Sequence, residues 1–172
     1  MKESVGHKYL PEFVYGATDG SVTTFAVVAG AVGASLSPAI VLILGFANLF
    51  GDGFSMAISN YLSTKSKIER DRRIIGNPIK TASATFIAFI LIGVIPLLSF
   101  VIAALTKNTY LAKNQFIFSF ALTAIAFFSV GAIKSKIVNK HFLRSSIETL
   151  IIGGAAAGVA FIVGNAMKSF LG

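Results

Sequence analysis

Two aspartates lie inside long apolar stretches of the chain, Asp19 within residues 13–36 and Asp52 within residues 38–61. A carboxylate at bilayer depth costs at least about 2.5–3.5 kcal/mol on insertion scales. A membrane protein that keeps two such groups is expected to use them. The two aspartates therefore predict a site inside the membrane that binds a cation or a proton.

Each aspartate belongs to a row of residues that would lie on one face of a helix. Glu12 and Asp19 are seven residues apart and so share a helix face. In the second stretch Asn48, Asp52 and Met56 follow one another at intervals of four. Because lipid cannot solvate these groups, we expect both rows to turn inward, towards each other or towards a second copy of the chain.

The side chains of these rows favour a particular class of ion. Carboxylate and amide oxygens suit hard or borderline divalent cations, and a thioether adds a soft ligand that Mg²⁺ and Ca²⁺ do not seek. The set predicts Fe²⁺ or Mn²⁺ and does not separate the two. Three structural alternatives stay open: Met56 as a core filler, Asp19 as a buried polar contact, and Asn48 as an interhelical hydrogen-bonding group.

The elements that must position these residues are predicted to be membrane-spanning helices. Of the 172 residues 55% are hydrophobic and 13% are charged, which excludes an ordinary soluble domain. Only short polar connections separate the apolar stretches, so residues 1–172 are expected to form a single all-α membrane domain. Its five transmembrane helices are predicted near residues 13–36, 38–61, 80–105, 115–134 and 146–168. Pro96 should kink the third.

The distribution of positive charge predicts the topology. When the five spans alternate, only Lys107, Lys113 and Lys168 of the 15 lysines and arginines fall on one side. The positive-inside rule then places the N-terminus in the cytoplasm and the C-terminus opposite. It also explains the KSKIERDRR run as a topology anchor, so no nucleic-acid partner is expected.

The N-terminal residues show no apolar signal-peptide core. The absence of cysteine excludes disulfides and thiolate metal sites.

The first two predicted helices resemble those of the vacuolar iron transporter family. This resemblance is carried by the Asp19–Gly20 pair, the FAVVAG run and Ser55-Met56-Ala57, which precedes Tyr61-Leu62-Ser63. The C-terminal segments VGAIKSK and FLRSSIETLIIGGAAAGVAFIVG are similar to the closing helices of the family.

The resemblance implies a homodimer whose first helices line a path for Fe²⁺, often with Mn²⁺ accepted, in exchange for protons. By position, Asp19 and Met56 match residues that line this path, and Glu12 matches an acidic residue at its cytoplasmic entrance. Asn48 falls where plant-type members carry a glutamate, and Asp52, one turn along, is expected to replace that charge. The metal would be cargo, and neither a cofactor nor an enzymatic activity is expected.

The connection after the second helix departs from the family pattern. Many members insert a glutamate-rich cytoplasmic domain there, whereas the segment from about Ser63 to Pro78 is too short for one and has only Glu69 and Asp71 as acids. The leading hypothesis is a metal exporter in a prokaryotic plasma membrane, or in an organelle membrane if the source is eukaryotic. The alternatives are a non-transporting scaffold or subunit on the same fold and, less favoured, an antiporter for a small cation or drug.

Overall fold

The computed structural model describes residues 9–71 and 76–171, and within these ranges all regular structure is helical. The membrane-protein class and the all-α prediction are confirmed. The helices are α1 (Leu10–Gly33), α2 (Pro38–Asp71), α3 (Pro78–Gly93), α4 (Ile95–Thr106), α5 (Thr109–Val138) and α6 (Phe142–Leu171).

Helix α1 is the central element of the bundle and contacts every other described helix. Among the described residues α2, α5 and α6 are each long and apolar enough to cross a membrane, and the bent pair of α3 and α4 reaches that length and hydropathy only when the two are taken together. Helix α1 is not among them. Because neighbouring helices surround it, α1 buries polar side chains such as Ser21 and Thr24 against protein instead of presenting apolar ones to lipid.

The third predicted span is broken in the middle. Helix α3 ends at Gly93, α4 begins at Ile95, and their axes differ by 49°. Pro96 lies in the first turn of α4, where its missing N–H removes a helix hydrogen bond. The hydroxyl of Ser119 on α5 donates to the Pro96 carbonyl oxygen over 2.6 Å and so connects α5 to the start of α4. The predicted kink is confirmed.

Two glycines allow α1 to pack directly on the backbone of α3. A Cβ added at Gly20 would lie 2.5 Å from the carbonyl oxygen of Phe89, and one at Gly16 would overlap the carbonyl of Thr85. Only glycine permits an approach this close. The contact fixes the position of α1, and with it the position of Asp19.

Helix α2 is longer than the sequence predicted. It has 34 residues and a length of about 51 Å, well beyond the roughly 30 Å of a hydrocarbon core. The segment with Lys65, Lys67 and Arg70, predicted as part of a loop, is therefore helical up to Asp71. No glycine or proline interrupts the chain there, and an i,i+4 pair between Lys65 and Glu69, 3.9 Å apart, supports the helix.

Most of the described basic residues lie at one end of the bundle, which we call the basic end. At this end Thr64 of α2 is hydrogen-bonded to Thr81 of α3, and Lys134 of α5 pairs with Glu148 of α6. Its described basic residues are Lys65, Lys67, Arg70, Lys80, Lys134, Lys136, Lys140 and Arg144. Lys107, Lys113 and Lys168 lie at the other end. Lys2, Lys8, Arg72 and Arg73, assigned by the sequence to the basic side, fall outside the described residues.

Candidate functional site

A pocket of about 510 Å³ opens between the start of α1 and the second half of α2, at the basic end. We call it the mouth pocket, and its lining residues are Pro11, Glu12, Tyr15, Ser55, Met56, Ser59, Asn60 and Ser63. The structure thus brings Glu12 and Met56, two of the five predicted site residues, to the same cavity. One residue with a carboxylate and one with a thioether therefore line the same cavity.

The mouth pocket also contains three serines that the sequence analysis missed. Ser55, Ser59 and Ser63 are spaced by four and line the pocket along α2. Their spacing was visible in the sequence, but a row of serines on a helix is not distinctive without knowing which helix it faces. Asn60, beside them, donates a 2.6 Å hydrogen bond to the Thr85 hydroxyl of α3 and so connects the two helices.

Asp19 and Asp52 lie deeper in the bundle and do not line the mouth pocket. Both are partly buried, and they are close enough for their negative charges to interact. Asp19 is seven residues from Glu12, or about 10 Å further along α1. Because α1 and α2 are antiparallel neighbours, the predicted residues are arranged along one seam: Glu12 and Met56 at the mouth, then the Asp19–Asp52 pair.

Two polar atoms on this seam are buried without a hydrogen-bond partner among the described residues. They are Oε2 of Glu12 and Nδ2 of Asn48, which lies one turn beyond Asp52. Buried polar atoms in native proteins are nearly always paired, so each such atom calls for a partner. Glu12 and Asn48 therefore lie near opposite ends of the seam.

The acidic residues of the described structure fall into two groups. On the surface of the basic end Glu69 contacts Lys65, Asp71 contacts Arg70, and Glu148 contacts Lys134 and Lys140. On the seam Glu12, Asp19 and Asp52 form no ion pair with any described basic residue. These three carboxylates therefore differ from the surface acids, each of which has a described cationic partner.

One copy of the chain supplies few ligands at any single level of the seam. Among the described residues no three His, Asp or Glu side chains are grouped closely enough to hold a metal ion. Octahedral coordination by oxygen is typical of Mg²⁺, Ca²⁺ and Mn²⁺. A metal at the Asp19–Asp52 pair would need further ligands from water or from a second copy of the chain.

Known proteins resemble this chain along nearly its whole length. A model of the VIT family matches residues 10–75 and 67–165, nearly the whole chain. "Vacuolar iron transporter homolog 5" of rice is 30% identical over 168 residues, covering 89% of this chain and 77% of the rice protein. The "Vacuolar iron transporter" of Plasmodium berghei is 24% identical, covering 96% of this chain and 85% of its own length.

The relatives differ in how their lengths compare with this chain. The alignment with the Plasmodium protein extends over 231 residues although this chain has 172, so that relative carries inserted segments. The alignment with "Vacuolar iron transporter homolog 1" of Arabidopsis thaliana, 26% identical, needs only 169 residues to cover 90% of this chain and 80% of the plant protein. All three relatives are eukaryotic, and they do not support the expected prokaryotic membrane.

The family resemblance predicted from the sequence is confirmed by these matches. Relatives named as iron transporters cover most of the chain, and the structure has the long apolar helices of an integral membrane protein. The chain belongs to the VIT family, a family of membrane metal transporters and not of enzymes.

Proposed function

We propose that this protein moves a divalent transition metal, Fe²⁺ or Mn²⁺, out of the cytoplasm in exchange for protons. The observation that carries the proposal is the set of three seam carboxylates without a described basic partner. A partly buried carboxylate at membrane depth is stabilised when it binds either a cation or a proton. A group that alternates between the two couples metal movement to proton movement.

The positions of the residues along the seam suggest their roles. Glu12 recruits the cation at the mouth pocket, where Met56 provides a soft ligand. Asp19 is the central ligand and proton carrier, and Asp52 on the facing helix supplies the second carboxylate. Asn48 offers an amide oxygen one turn further along. The metal passes from the serine-lined mouth to the Asp19–Asp52 pair.

A homodimer would complete the ligand set. On the side of α2 next to the seam, Leu44 and Leu62 are exposed, and a Cβ added at Gly51 would have nothing within 4 Å. A two-fold partner packed on this side would place its own seam opposite the first. Each level would then hold twice as many oxygen and sulfur ligands.

The orientation follows from the charges of the basic end. We propose that α1 is the fifth span and that the basic end, with the mouth pocket, faces the cytoplasm. Glu12 would then meet metal ions on the side from which they are exported. The N-terminus would be cytoplasmic and the C-terminus on the far side.

The test is metal flux into liposomes that contain only the purified protein, under an imposed pH gradient. We expect gradient-dependent uptake of Fe²⁺ and Mn²⁺ that Asp19→Asn abolishes. Glu69→Gln is the matched control, because it also changes a carboxylate to an amide but at an exposed position of α2. If the two variants transported metal equally, the assignment of Asp19 would be wrong.

A second candidate is a scaffold or subunit that moves no metal by itself. It is favoured by the segment from about Ser63 to Pro78, where the resemblance leads us to expect an acidic domain and where basic residues outnumber Glu69 and Asp71. Such a segment repels cations instead of collecting them. A folded, dimeric wild-type protein that moved neither metal in liposomes would establish this candidate over the transporter.

A further inference from the structure

A second groove, of about 430 Å³, runs between α2 and α3. We call it the α2–α3 groove. It lies on a different side of α2 from the mouth pocket and shares no lining residue with it. Its walls are largely apolar, being formed by Phe54, Ala57, Ile58, Tyr61, Ile79, Ala82, Ser83, Phe86 and Ile87.

The two helices are held together beneath this groove. Asn60 donates to Thr85 over 2.6 Å, and the hydroxyls of Thr64 and Thr81 lie 3.2 Å apart. These bonds define the spacing of the helices, so the groove is a preformed feature with a fixed width. Its apolar rim is nevertheless open, since Ile87 is 53% exposed in the protein alone.

Two lysines continue the helix rows that form the walls of the groove. Lys65 follows Tyr61 by four residues on α2, and Lys80 precedes Ser83 by three on α3. Residues at these intervals share a helix face, so both lysines extend the groove beyond its apolar part, at the basic end. Both are exposed, and the described partner of Lys65 is Glu69 at a long 3.9 Å.

We propose that the α2–α3 groove binds an anionic phospholipid of the surrounding bilayer. The acyl chain lies along Phe54, Ile58 and Phe86, and the phosphate lies between Lys65 and Lys80. The order of the features along the groove matches the order of the parts of a lipid: an apolar channel, then Tyr61 at the interfacial position, then two positive charges. A neutral lipid would use the apolar channel and leave the lysines without a function. This proposal is independent of the transport activity.

The first experiment compares retention of two lipids by native mass spectrometry of the purified protein. The probes are phosphatidylglycerol and phosphatidylcholine with identical acyl chains. We expect the wild type to retain phosphatidylglycerol preferentially, and the double variant Lys65→Ala/Lys80→Ala to reduce that preference by roughly fivefold per lysine. Lys67→Ala is the matched control, because it loses the same charge two residues from Lys65 on another face of α2.

The second experiment uses the absence of tryptophan from the chain. Ile87→Trp places one fluorophore at the groove rim, and Ile125→Trp places one on the exposed surface of α5. Brominated phosphatidylglycerol should quench the groove fluorophore more strongly than brominated phosphatidylcholine, and quench the α5 control equally with both. The difference at the groove should disappear when Lys65 and Lys80 are alanine.

Three results would overturn the proposal. The first is equal retention of the two lipids by the wild type. The second is an equal loss of preference in Lys67→Ala and in the double variant, which would indicate a general charge effect. The third is a change of oligomeric state, without a change in lipid retention, when the groove is filled by Ala82→Trp. That last result would identify the groove as a protein interface.

Discussion

The backbone contact between α1 and α3 at Gly20 leads to a quantitative prediction for Gly20→Ala. The new Cβ would lie 2.5 Å from the Phe89 carbonyl oxygen and 2.9 Å from its Cα. Ordinary van der Waals contact starts near 3.4 Å, so α1 would have to move away from α3 by about 1 Å. Both atoms belong to the backbone of a helix and cannot rotate aside. Overpacking of this kind costs about 1–3 kcal/mol.

Gly154→Ala is the matched control. A Cβ at Gly154 would meet no atom within 4 Å, because this residue lies on the outer surface of α6. Both substitutions gain the same helix propensity, up to about 1 kcal/mol. The difference between the two variants therefore isolates the steric effect. We expect Gly20→Ala to have a free energy of unfolding about 1–3 kcal/mol lower than that of Gly154→Ala.

The assay is reversible unfolding in mixed micelles, followed by the circular dichroism of the helices. Metal flux in liposomes is a second readout, since a shift of α1 changes the spacing between Asp19 and Asp52. We expect Gly20→Ala to transport more slowly even under conditions where it is fully folded. If the two variants were equally stable, α1 and α3 would not be in backbone contact at this level. The argument that this contact positions Asp19 would then fail.

Three further predictions concern other contacts. Asn60→Ala should lower the free energy of unfolding by about 0.6–1 kcal/mol in the same assay, because it removes the 2.6 Å hydrogen bond to Thr85. An unchanged free energy of unfolding would show that this bond does not connect α2 and α3. Gly51→Cys should crosslink two copies under oxidation, because the proposed dimer places this position near its symmetry mate and the chain has no other cysteine. Ile125→Cys on the exposed surface of α5 should not crosslink, and equal crosslinking of the two variants would contradict the proposed interface. Glu148→Gln should lower the free energy of unfolding by at most about 1 kcal/mol, because the ion pairs of Glu148 with Lys134 and Lys140 are long and partly exposed. High salt should reduce this loss, and a large loss that does not depend on salt would contradict the prediction.

Several features of the fold were predictable because they depend on short stretches of sequence. Proline interrupts a helix when it lies in the middle of a predicted span, because it has no N–H to donate to the carbonyl four residues earlier, and the structure has the break at Pro96. The all-α membrane class was also predictable, because the apolar stretches that indicate it are read directly along the chain.

Other features depended on how the helices are rotated about their axes. Gly154 and Gly158 have the spacing of a helix-packing motif, but a Cβ added at either one would meet no atom within 4 Å. Gly16 and Gly20, with the same spacing, form the close contact instead. Spacing identifies a face of a helix, but only the surrounding helices decide whether that face is covered.

The sequence by itself determined the membrane class, the family and the rows of polar residues that contain Glu12, Asp19 and Asp52. These properties follow from hydrophobicity, charge and helical period, which are read along the chain. Only the tertiary structure decided that Asp19 lies close enough to Asp52 for their charges to interact and that Glu12 shares a pocket with Met56. It also decided that the seam acids have no described basic partner while the surface acids do. Each of these depends on distances between helices, and such distances are set by side-chain packing across the bundle, as at Gly20 against Phe89.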